Sequence, residues 1–377
     1  MSIKVFHTGD LHIGMTYGNR PYSPDLKQRL ISARLVQLES LVQRAGEEEA
    51  DIFLVAGDMF HRTNIRQDFV IKAAQMVSQF QGKCVIILPG NHDHLESYNS
   101  IWETFMPEAA DHVILLDQQA PYDLQDFGLD AAVYPAPCDQ KHASEHNLGW
   151  IKECRDRPLR TWHLGVAHGS VAGISPDFQD QYFPMKESDL ENTNLDHWFL
   201  GHTHVPYPDH NISSTRQLFT FCGTPEPDGF DCRHGGYARV TEIDDQKSVS
   251  SRLITTGQYR FIEFTKDITS LEDVYQVEGD VSSKVKAENN RLVKLTLEGS
   301  LDRDEYDKLP DALESLEAHF EYLEEDISAV QIAITPEEIK REFPDNSIPA
   351  LLLNRLAERD QQALQLAYQM IRKVKRS

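Results

Sequence analysis

The amino-acid sequence predicts an α/β protein with a layered domain over residues 1–258, a small α+β unit over residues 259–335 and a C-terminal helical tail over residues 336–377. Short apolar runs alternate with amphipathic segments in the first part, which is typical of stacked helix and sheet layers. The alternation changes near residue 258, and leucines at helical spacing follow residue 335. A length of 377 residues fits two domains and a tail.

The first domain opens on an apolar strand at residues 2–8, and the leucine spacing predicts a helix at residues 25–46. A strand at 51–56, a helix at 66–80 and a strand at 85–88 continue the alternation. Further strands are predicted at 112–116, 131–134, 162–167, 197–200, 218–222 and 236–243.

The unit after residue 258 is strongly acidic, with seven basic and 19 acidic residues between 261 and 335. In the tail, residues 348–374 have leucines at helical spacing and lead into the basic run Arg372–Arg376, so a single helix is predicted there. The elements predicted within the acidic unit are two strands, a helix and a third strand, at 261–264, 292–297, 304–318 and 330–334.

The composition indicates in which cellular compartment the protein is expected. A hydrophobic content of 40% is enough for a packed core, and no apolar run reaches the roughly 18 residues of a membrane span. A strand at Ser2–Phe6 leaves no room for a secretory signal. The five cysteines are odd in number and form no C-x-x-C pair. We therefore expect a protein of the reducing cytoplasm, without a membrane partner.

The net charge of -23 leaves three interpretations open. Proteins that bind duplex DNA unaided usually have a basic face. Either the substrate is not nucleic acid, or a partner supplies most of the phosphate contacts, or the total conceals a local basic stripe. Net charge alone does not distinguish among these interpretations.

Five short motifs stand where a predicted strand ends and a loop begins. They are Gly9–His12, Gly57–His61, Gly90–Asp93, His168–Gly169 and Gly201–His204. Ligand-binding residues of α/β sheets gather beyond the carboxyl ends of the strands, and the neighbouring glycines permit sharp turns. The motifs are therefore expected to meet at one site.

The side chains in these motifs suit divalent metals. Carboxylate, carboxamide and imidazole together favour Mn, Fe or Zn, and the absence of cysteine argues against a structural zinc site. Two such ions about 3.5–4 Å apart would clamp a phosphoryl group. The candidate ligands are Asp10, His12, Asp58, Asn91, His168, His202 and His204.

Among the candidate ligands, Asp58 is the best choice for a carboxylate that bridges two metals. Three further residues, His92, Asp93 and His61, are candidates for catalysis. His92 follows the candidate ligand Asn91 and could donate a proton to the leaving oxygen, with Asp93 holding its ring. His61 could face the metals or only the interior of its loop.

Each motif alone has a plain alternative, because Gly-Asp or Gly-Asn after a strand is usually a turn. The five in this order, each after an apolar run, favour a metal site. His7 and His163 lie in predicted strands and are interpreted as packed structural residues. No role is assigned to His94, His112, His142, His146, His197, His210, His234 or His319.

Together the motifs resemble those of the calcineurin-like metallophosphoesterases, over roughly residues 3–245. The resemblance implies a two-sheet α/β sandwich with a dinuclear metal site at one edge. A narrower resemblance is to the nuclease branch, which contains SbcD, the nuclease subunit of bacterial double-strand-break repair complexes, and its Mre-type relatives. It rests on Gly57–His61, Thr8–Gly14 and Pro89–Asp93.

The narrower resemblance implies a manganese-dependent DNA exonuclease or endonuclease in which metal-activated water attacks phosphorus. Residues 259–335 would be its α+β capping domain. His92 would assist the leaving group, and His61 would orient it or the substrate. One metal would be held by Asp10, His12, Asp58 and His204, and the other by Asp58, Asn91, His168 and His202.

The resemblance also implies partners, namely DNA, an SMC-like ATPase of the SbcC type and a second copy of the chain. The candidate dimer segments are 66–80 and 95–106, with contacts from Tyr98, Ile101, Trp102 and Phe105. Residues 348–374 could bind the coiled coil of the ATPase or pack on the cap. The basic run Arg372–Arg376 could contact nucleic acid or complement the helix dipole.

Two other functions compete with a nuclease. A phosphodiesterase or phosphatase for small molecules or proteins would show a closed pocket over the metals instead of an open groove. A non-catalytic metal scaffold is the third hypothesis, and the complete ligand set together with His92 argues against it.

Overall fold

The computed structural model describes residues 2–95, 100–175, 177, 179–285, 290–359 and 361–376. The chain folds as two compact units, Met1–Phe261 and Ile262–Ser377. The predicted boundaries at 258 and 335 stay predictions.

The first unit contains two β-sheets. Seven strands form the first, in the order β4-β3-β2-β1-β11-β12-β9, and five form the second, in the order β10-β8-β7-β6-β5. The strands are β1 (Ser2–Thr8), β2 (Ile52–Ala56), β3 (Cys84–Leu88), β4 (Val113–Leu115), β5 (Tyr122–Asp123), β6 (Ala131–Ala136), β7 (Trp162–His168), β8 (His197–Gly201), β9 (Ile212–Thr215), β10 (Phe219–Phe221), β11 (Tyr237–Asp244) and β12 (Val249–Thr255).

Alternation along the strands explains the layers. In β3, Val85 and Ile87 pack towards the helices, whereas Cys84, Ile86 and Leu88 pack towards the second sheet. Both faces of the first sheet are thus buried, which is why its parallel strands are continuous apolar runs. The predicted two-sheet α/β sandwich is confirmed.

The helices of this unit cover both outer faces of the sandwich. The first begins where Ser23 accepts a hydrogen bond from the backbone N–H of Leu26, with Pro24 at its first position. The helices are α1 (Pro24–Glu47), α2 (Gln67–Val77), α3 (Ile101–Phe105), α4 (Gly149–Glu153) and α5 (Glu187–Glu191).

The prediction of dimer contacts in the segment 95–106 was wrong for three of its residues. Ile101, Trp102 and Phe105 are packed in the core beside Phe60, with exposed fractions of 6%, 3% and 0%. The indole N–H of Trp102 donates to the backbone carbonyl of Asp93 at 2.8 Å. A residue buried in its own core offers no surface to a second copy. Tyr98 lies outside the described residues.

The second unit contains a three-stranded sheet in the order β13-β14-β15. The last two strands are parallel and are joined by the helix α8, a crossover typical of an α+β unit. The elements are β13 (Tyr259–Ile268), α6 (Leu271–Tyr275), α7 (Val277–Lys284), β14 (Asn290–Leu301), α8 (Arg303–Glu317) and β15 (Tyr322–Ile332).

The strand β15 begins eight residues before the start predicted at 330. Its first part contains Glu324, Glu325 and Asp326, residues that rarely form strands. They are tolerated because β15 lies at the edge of the sheet, where charged side chains reach solvent.

The tail forms three helices, α9 (Pro336–Glu342), α10 (Ile348–Ala357) and α11 (Gln361–Arg376). The single helix predicted over 348–374 was therefore wrong, because α10 ends at Ala357 and a separate helix begins at Gln361. These helices share a small core of their own with Ile334. Among the described residues, no helix is both long and apolar enough to span a membrane.

Candidate metal centre

Five loops meet where strands of both sheets end. The loops after β1, β2 and β3 leave the first sheet, and those after β7 and β8 leave the second. Parallel alignment places the ends of β1, β2 and β3 at one edge, as it does for β7 and β8. All seven candidate ligands lie in these loops or at a strand end.

Four of the candidate ligands have left-handed backbone conformations. The φ angles are 52° at Asp10, 49° at His12, 51° at Asp58 and 98° at His202. Residues with a side chain rarely adopt this region, and such strain concentrates at functional sites. Backbone hydrogen bonds maintain it, since the N–H of Asp10 donates to Gly57 O at 3.1 Å.

Two glycines are required by close packing around the site. A Cβ at Gly57 would lie 2.0 Å from Nδ1 of His168, and one at Gly90 would lie 2.3 Å from Oδ1 of Asp58. Gly57 also has a φ of 88°. The glycines of these motifs thus let the loops approach the candidate ligands closely.

The first group of ligand atoms comes from Asp10, His12 and His204. Nε2 of His12 lies 3.1 Å from Nε2 of His204, which in turn lies 3.9 Å from Oδ1 of Asp10. Two imidazole nitrogens that face each other so closely present lone pairs to one point, and a cation there would satisfy both.

The second group comes from Asp10, Asp58 and His168, with Asn91 beside it. His168 donates its Nδ1 proton to the carbonyl of Ala56 at 2.9 Å, which leaves Nε2 to face the site. That nitrogen lies 3.3 Å from Oδ2 of Asp58 and 3.0 Å from Oδ1 of Asn91. Three electron-donating atoms therefore converge.

Asp58 lies between the two groups. Its Oδ2 is 3.3 Å from His168 and 3.7 Å from Nε2 of His12, while Oδ1 accepts the backbone N–H of His92 at 2.8 Å. One carboxylate oxygen thus reaches a histidine of each group. This position suits the bridging role expected of Asp58.

His202 lies at the border of the site. Its ring is 5.3 Å from that of His168 and 4.7 Å from that of Tyr182, measured between centroids. Its backbone N–H donates to both carboxylate oxygens of Asp10. Among the described residues, its side chain belongs to none of the three groups of converging ligand atoms, so its role as a ligand stays a prediction.

A third group joins His12 to His61 and His92. The rings of His61 and His92 stack at a centroid distance of 5.3 Å, and both lie within 5.4 Å of the ring of His12. His61 therefore faces the site, which answers the alternative left open by the sequence. Nδ1 of His92 donates to the backbone carbonyl of His61 at 2.8 Å.

The expectation that Asp93 holds the ring of His92 was wrong. The carboxylate of Asp93 is buried and accepts backbone N–H groups of Phe60 at 3.0 Å and Gly90 at 2.7 Å. It ties the β2 loop to the β3 loop, while the carbonyl of His61 orients His92. Adjacent residues in this irregular loop point in different directions, so the position of Asp93 next to His92 in the sequence did not predict a contact between their side chains.

Electrostatics at the site favour a cation. Burial raises the pKa of Asp10 to about 6, and burial acts on Asp58 in the same direction. The charge of His168 and its hydrogen bond nevertheless hold the pKa of Asp58 well below its usual range. Burial opposes charge on His168, yet the carboxylate of Asp58 raises its pKa to about 9. Without a bound cation, a proton on His168 thus balances the negative charge of the Asp58 carboxylate.

The residues fit two divalent ions. Nitrogen and oxygen donors converge in two groups, and among the described residues the buried Nδ1 of His12 has no hydrogen-bond partner. Burial lowers the pKa of His202 to about 3, so its imidazole is neutral and able to donate a lone pair to a metal. The donor set is that of Mn, Fe or Zn.

Sequence reasoning missed three residues that support the site. Oδ2 of Asp228 lies 3.6 Å from Nδ1 of His204, and Nε2 of His234 donates to the carbonyl of His204 at 2.7 Å. The hydroxyl of Thr224 donates to the carbonyl of Asp10 at 2.9 Å. All three belong to the loop between β10 and β11, and only its dense Gly, Pro and Asp content could have signalled it.

Three cavities that share lining residues adjoin the site, and together they are called the groove. The histidine cavity, of about 320 Å³, is lined by His202, His204, Asp228 and Asp231. The central cavity, of about 350 Å³, shares the two aspartates and adds His61, Arg20 and Arg62. The arginine cavity, of about 270 Å³, shares Arg62 and adds Arg66.

The chain is similar in part to two known proteins. The uncharacterized metallophosphoesterase YhaO of Bacillus subtilis (strain 168) is 24% identical over 208 residues, which are 54% of this chain and 48% of YhaO. The chain thus matches about half the length of that relative. The solved purple acid phosphatase PPD1 from yellow lupin (Lupinus luteus) seeds has a TM-score of 0.37 and 15% identity, over 68% of this chain and 54% of that one.

The family model of calcineurin-like phosphoesterases matches residues 3–206, which contain all seven candidate ligands. This is more than half of the chain. The chain belongs to the calcineurin-like phosphoesterase family.

Proposed function

We propose that this phosphoesterase is a manganese-dependent DNA nuclease with two metal ions, similar to SbcD. The observation that carries the proposal is the groove, whose cavities extend from His202 and His204 past His61 to the arginines. A polynucleotide needs continuous space on both sides of the scissile bond, and the three adjoining cavities provide it. A closed pocket would instead favour a small phosphate ester.

The two ions would be held by the groups built on Asp10 and Asp58. When bound, they supply Lewis-acid polarisation of the phosphate and a water activated for attack. Asp58 reaches a histidine of each group, so it would fix the two ions relative to each other. Manganese accepts this mixture of oxygen and nitrogen donors.

His92 would act on the leaving oxygen. Its Nδ1 donates to the carbonyl of His61, which fixes the ring and leaves Nε2 as the atom able to give a proton. The stacked ring of His61 restricts the rotation of His92 further. The half-buried position of His92 keeps the ring accessible to a bound substrate.

The experiment compares two substrates with Mn²⁺ present. The purified chain is incubated with end-labelled single- and double-stranded DNA and, separately, with bis(p-nitrophenyl) phosphate. We expect both to be hydrolysed, EDTA to abolish both activities, and His92→Ala to lower kcat by about 10²–10⁴-fold. Hydrolysis of the small ester with uncut DNA would favour a small-molecule or protein phosphodiesterase or phosphatase.

The tail is proposed to bind the coiled coil of an SbcC-type ATPase. Apolar side chains on its last two helices are exposed to solvent although the same helices share a small core. Leu366, Met370 and Val374 follow one another at four-residue spacing and form a continuous stripe on α11. Such a stripe suits helix-to-helix packing against a coiled coil.

The homodimer also stays a proposal. The face of α2 that meets solvent is polar, with Gln67, Lys72 and Gln75 exposed. A dimer through this helix would therefore be held mostly by polar contacts.

A further inference from the structure

The wall of the groove beside His61 contains arginines although the whole chain has a net charge of -23. Arg20 and Arg62 line the central cavity, and Arg62 and Arg66 line the arginine cavity. All three are exposed, and among the described residues Arg20 and Arg62 form no ion pair. Positive charge concentrated in a groove of an acidic protein attracts a polyanion locally.

Acidic residues are distributed unequally along the groove. Asp228 and Asp231 line the histidine cavity, and they also line the central cavity together with Arg20 and Arg62. Among the described residues, the arginine cavity at the other end has no acidic residue in its lining, and the exposed pair between Arg66 and the flanking Asp68 offsets part of its charge. Exposed pairs of this kind are weak, so a phosphate can compete for Arg66.

The two ends differ chemically because His92 lies nearer one of them. The ring of His92 stacks on His61, and His61 lines the central cavity beside Arg62. If His92 protonates the leaving oxygen, the leaving part of the substrate points towards the arginines. The other part points towards His202 and His204.

We propose that Arg62 and Arg66, with Arg20 beside them, form a binding site for the phosphates of the polynucleotide strand on the leaving-group side of the scissile bond. The inference rests on the proposed nuclease function and adds to it the direction in which the substrate strand lies in the groove. Arginine is suited to this task because its planar guanidinium binds phosphate oxygens through two parallel hydrogen bonds.

The test compares the wild-type chain with Arg62→Gln/Arg66→Gln and with the control Arg155→Gln/Arg216→Gln. The control removes two exposed arginines that line none of the three cavities, so the change in net charge is the same. The ratio of kcat/KM for an oligothymidylate to kcat/KM for bis(p-nitrophenyl) phosphate is measured with Mn²⁺ at several salt concentrations.

We expect this ratio to fall by about tenfold per arginine in Arg62→Gln/Arg66→Gln and to stay at the wild-type value in the control. The slope of log kcat/KM against log salt for the oligonucleotide should become shallower by about 0.7 for each phosphate that the variant no longer neutralises. Replacing phosphates on the leaving-group side by neutral methylphosphonates should lower the wild-type ratio, and should have little further effect on the variant.

Several outcomes would overturn the inference while the nuclease proposal stands. They are a wild-type ratio in Arg62→Gln/Arg66→Gln, an equal fall in the control, and a methylphosphonate effect confined to the opposite side of the scissile bond. A wild-type chain that hydrolyses the small ester and leaves the oligonucleotide uncut would instead refute the nuclease function, and the phosphate site with it.

Discussion

At the scale of single residues, the site depends on backbone conformations that most side chains avoid. Asp10, His12 and Asp58 all have positive φ angles, and the loops that carry them are tied by backbone hydrogen bonds. The motifs identified the candidate ligands because each follows a strand. They did not identify Asp228 or His234, since contacts between distant loops leave no local pattern in a sequence.

The variant Asp228→Asn is predicted to weaken metal binding. The carboxylate of Asp228 faces Nδ1 of His204 and favours the proton on that nitrogen, which leaves Nε2 free for a metal. We expect the Kd for Mn²⁺, measured by isothermal titration calorimetry, to rise about 10–100-fold. Asp231→Asn is the matched control, because Asp231 lines the same cavity. Equal rises in Kd in both variants would indicate that the lost negative charge, and not the contact with His204, weakens metal binding.

The variant Gly57→Ala is predicted to be far more harmful than Gly128→Ala. Both glycines have left-handed φ angles, 88° and 76°, but a Cβ at Gly57 would overlap His168 whereas one at Gly128 meets nothing within 4 Å. Chemical denaturation should give a loss of about 1 kcal/mol for Gly128→Ala and an additional 1–3 kcal/mol or so for Gly57→Ala. Similar losses would show that the loop relaxes around the methyl group.

Glu226 is predicted to destabilise the fold as pH rises. Burial raises the pKa of its carboxyl to about 7, despite hydrogen bonds from the backbone N–H groups of Gln258 and Tyr259. Because the folded pKa exceeds the unfolded value, stability from this group is full below about pH 4.5 and is lost as pH rises through 7. The loss is on the order of 3 kcal/mol.

Urea unfolding of the wild type and Glu226→Gln at pH 5 and pH 8 measures this effect. The amide removes the ionisation but sacrifices one hydrogen bond, at a cost that does not depend on pH. The wild type should therefore lose stability relative to the variant between the two pH values. Parallel changes in both proteins would contradict the prediction.

At the scale of elements, apolar periodicity predicted the strands that carry the site, because their side chains are buried on both faces. It missed β5, β9 and β12. β5 has only two residues, and β9 and β12 are rich in serine and threonine at the end of the first sheet. Such strands form because they pair with neighbouring strands, and no alternation of apolar and polar residues marks them in the sequence. The break between α10 and α11 was missed because leucine spacing continues across it.

Two leucines of α11 are predicted to differ sharply in their effect on stability. Leu364 is fully buried in the core of the tail, whereas Leu366 is 61% exposed. Leu364→Ala should lower the free energy of unfolding by about 2–5 kcal/mol, and Leu366→Ala should change it by no more than about 0.5 kcal/mol. Thermal and urea unfolding check this, and similar effects would contradict the assigned inner and outer faces of the helix.

At the scale of the whole molecule, a net negative charge is compatible with a nucleic-acid substrate because the charged residues are distributed unevenly. The acidic unit after residue 261 accounts for much of the negative charge, whereas the groove beside His61 is lined by Arg20, Arg62 and Arg66. Of the three interpretations of the net charge, the groove supports a local basic stripe. The sequence could not separate them, because the arginines come from two loops that only the fold brings together.

Asp10 and Asp58 are proposed to hold two divalent ions between the histidines. A crystal structure with Mn²⁺, in which anomalous scattering locates the metal, tests this arrangement. We predict two peaks about 3.5–4 Å apart, one beside His12 and His204 and the other beside Asn91 and His168. A single peak, or none among these residues, would contradict the claim.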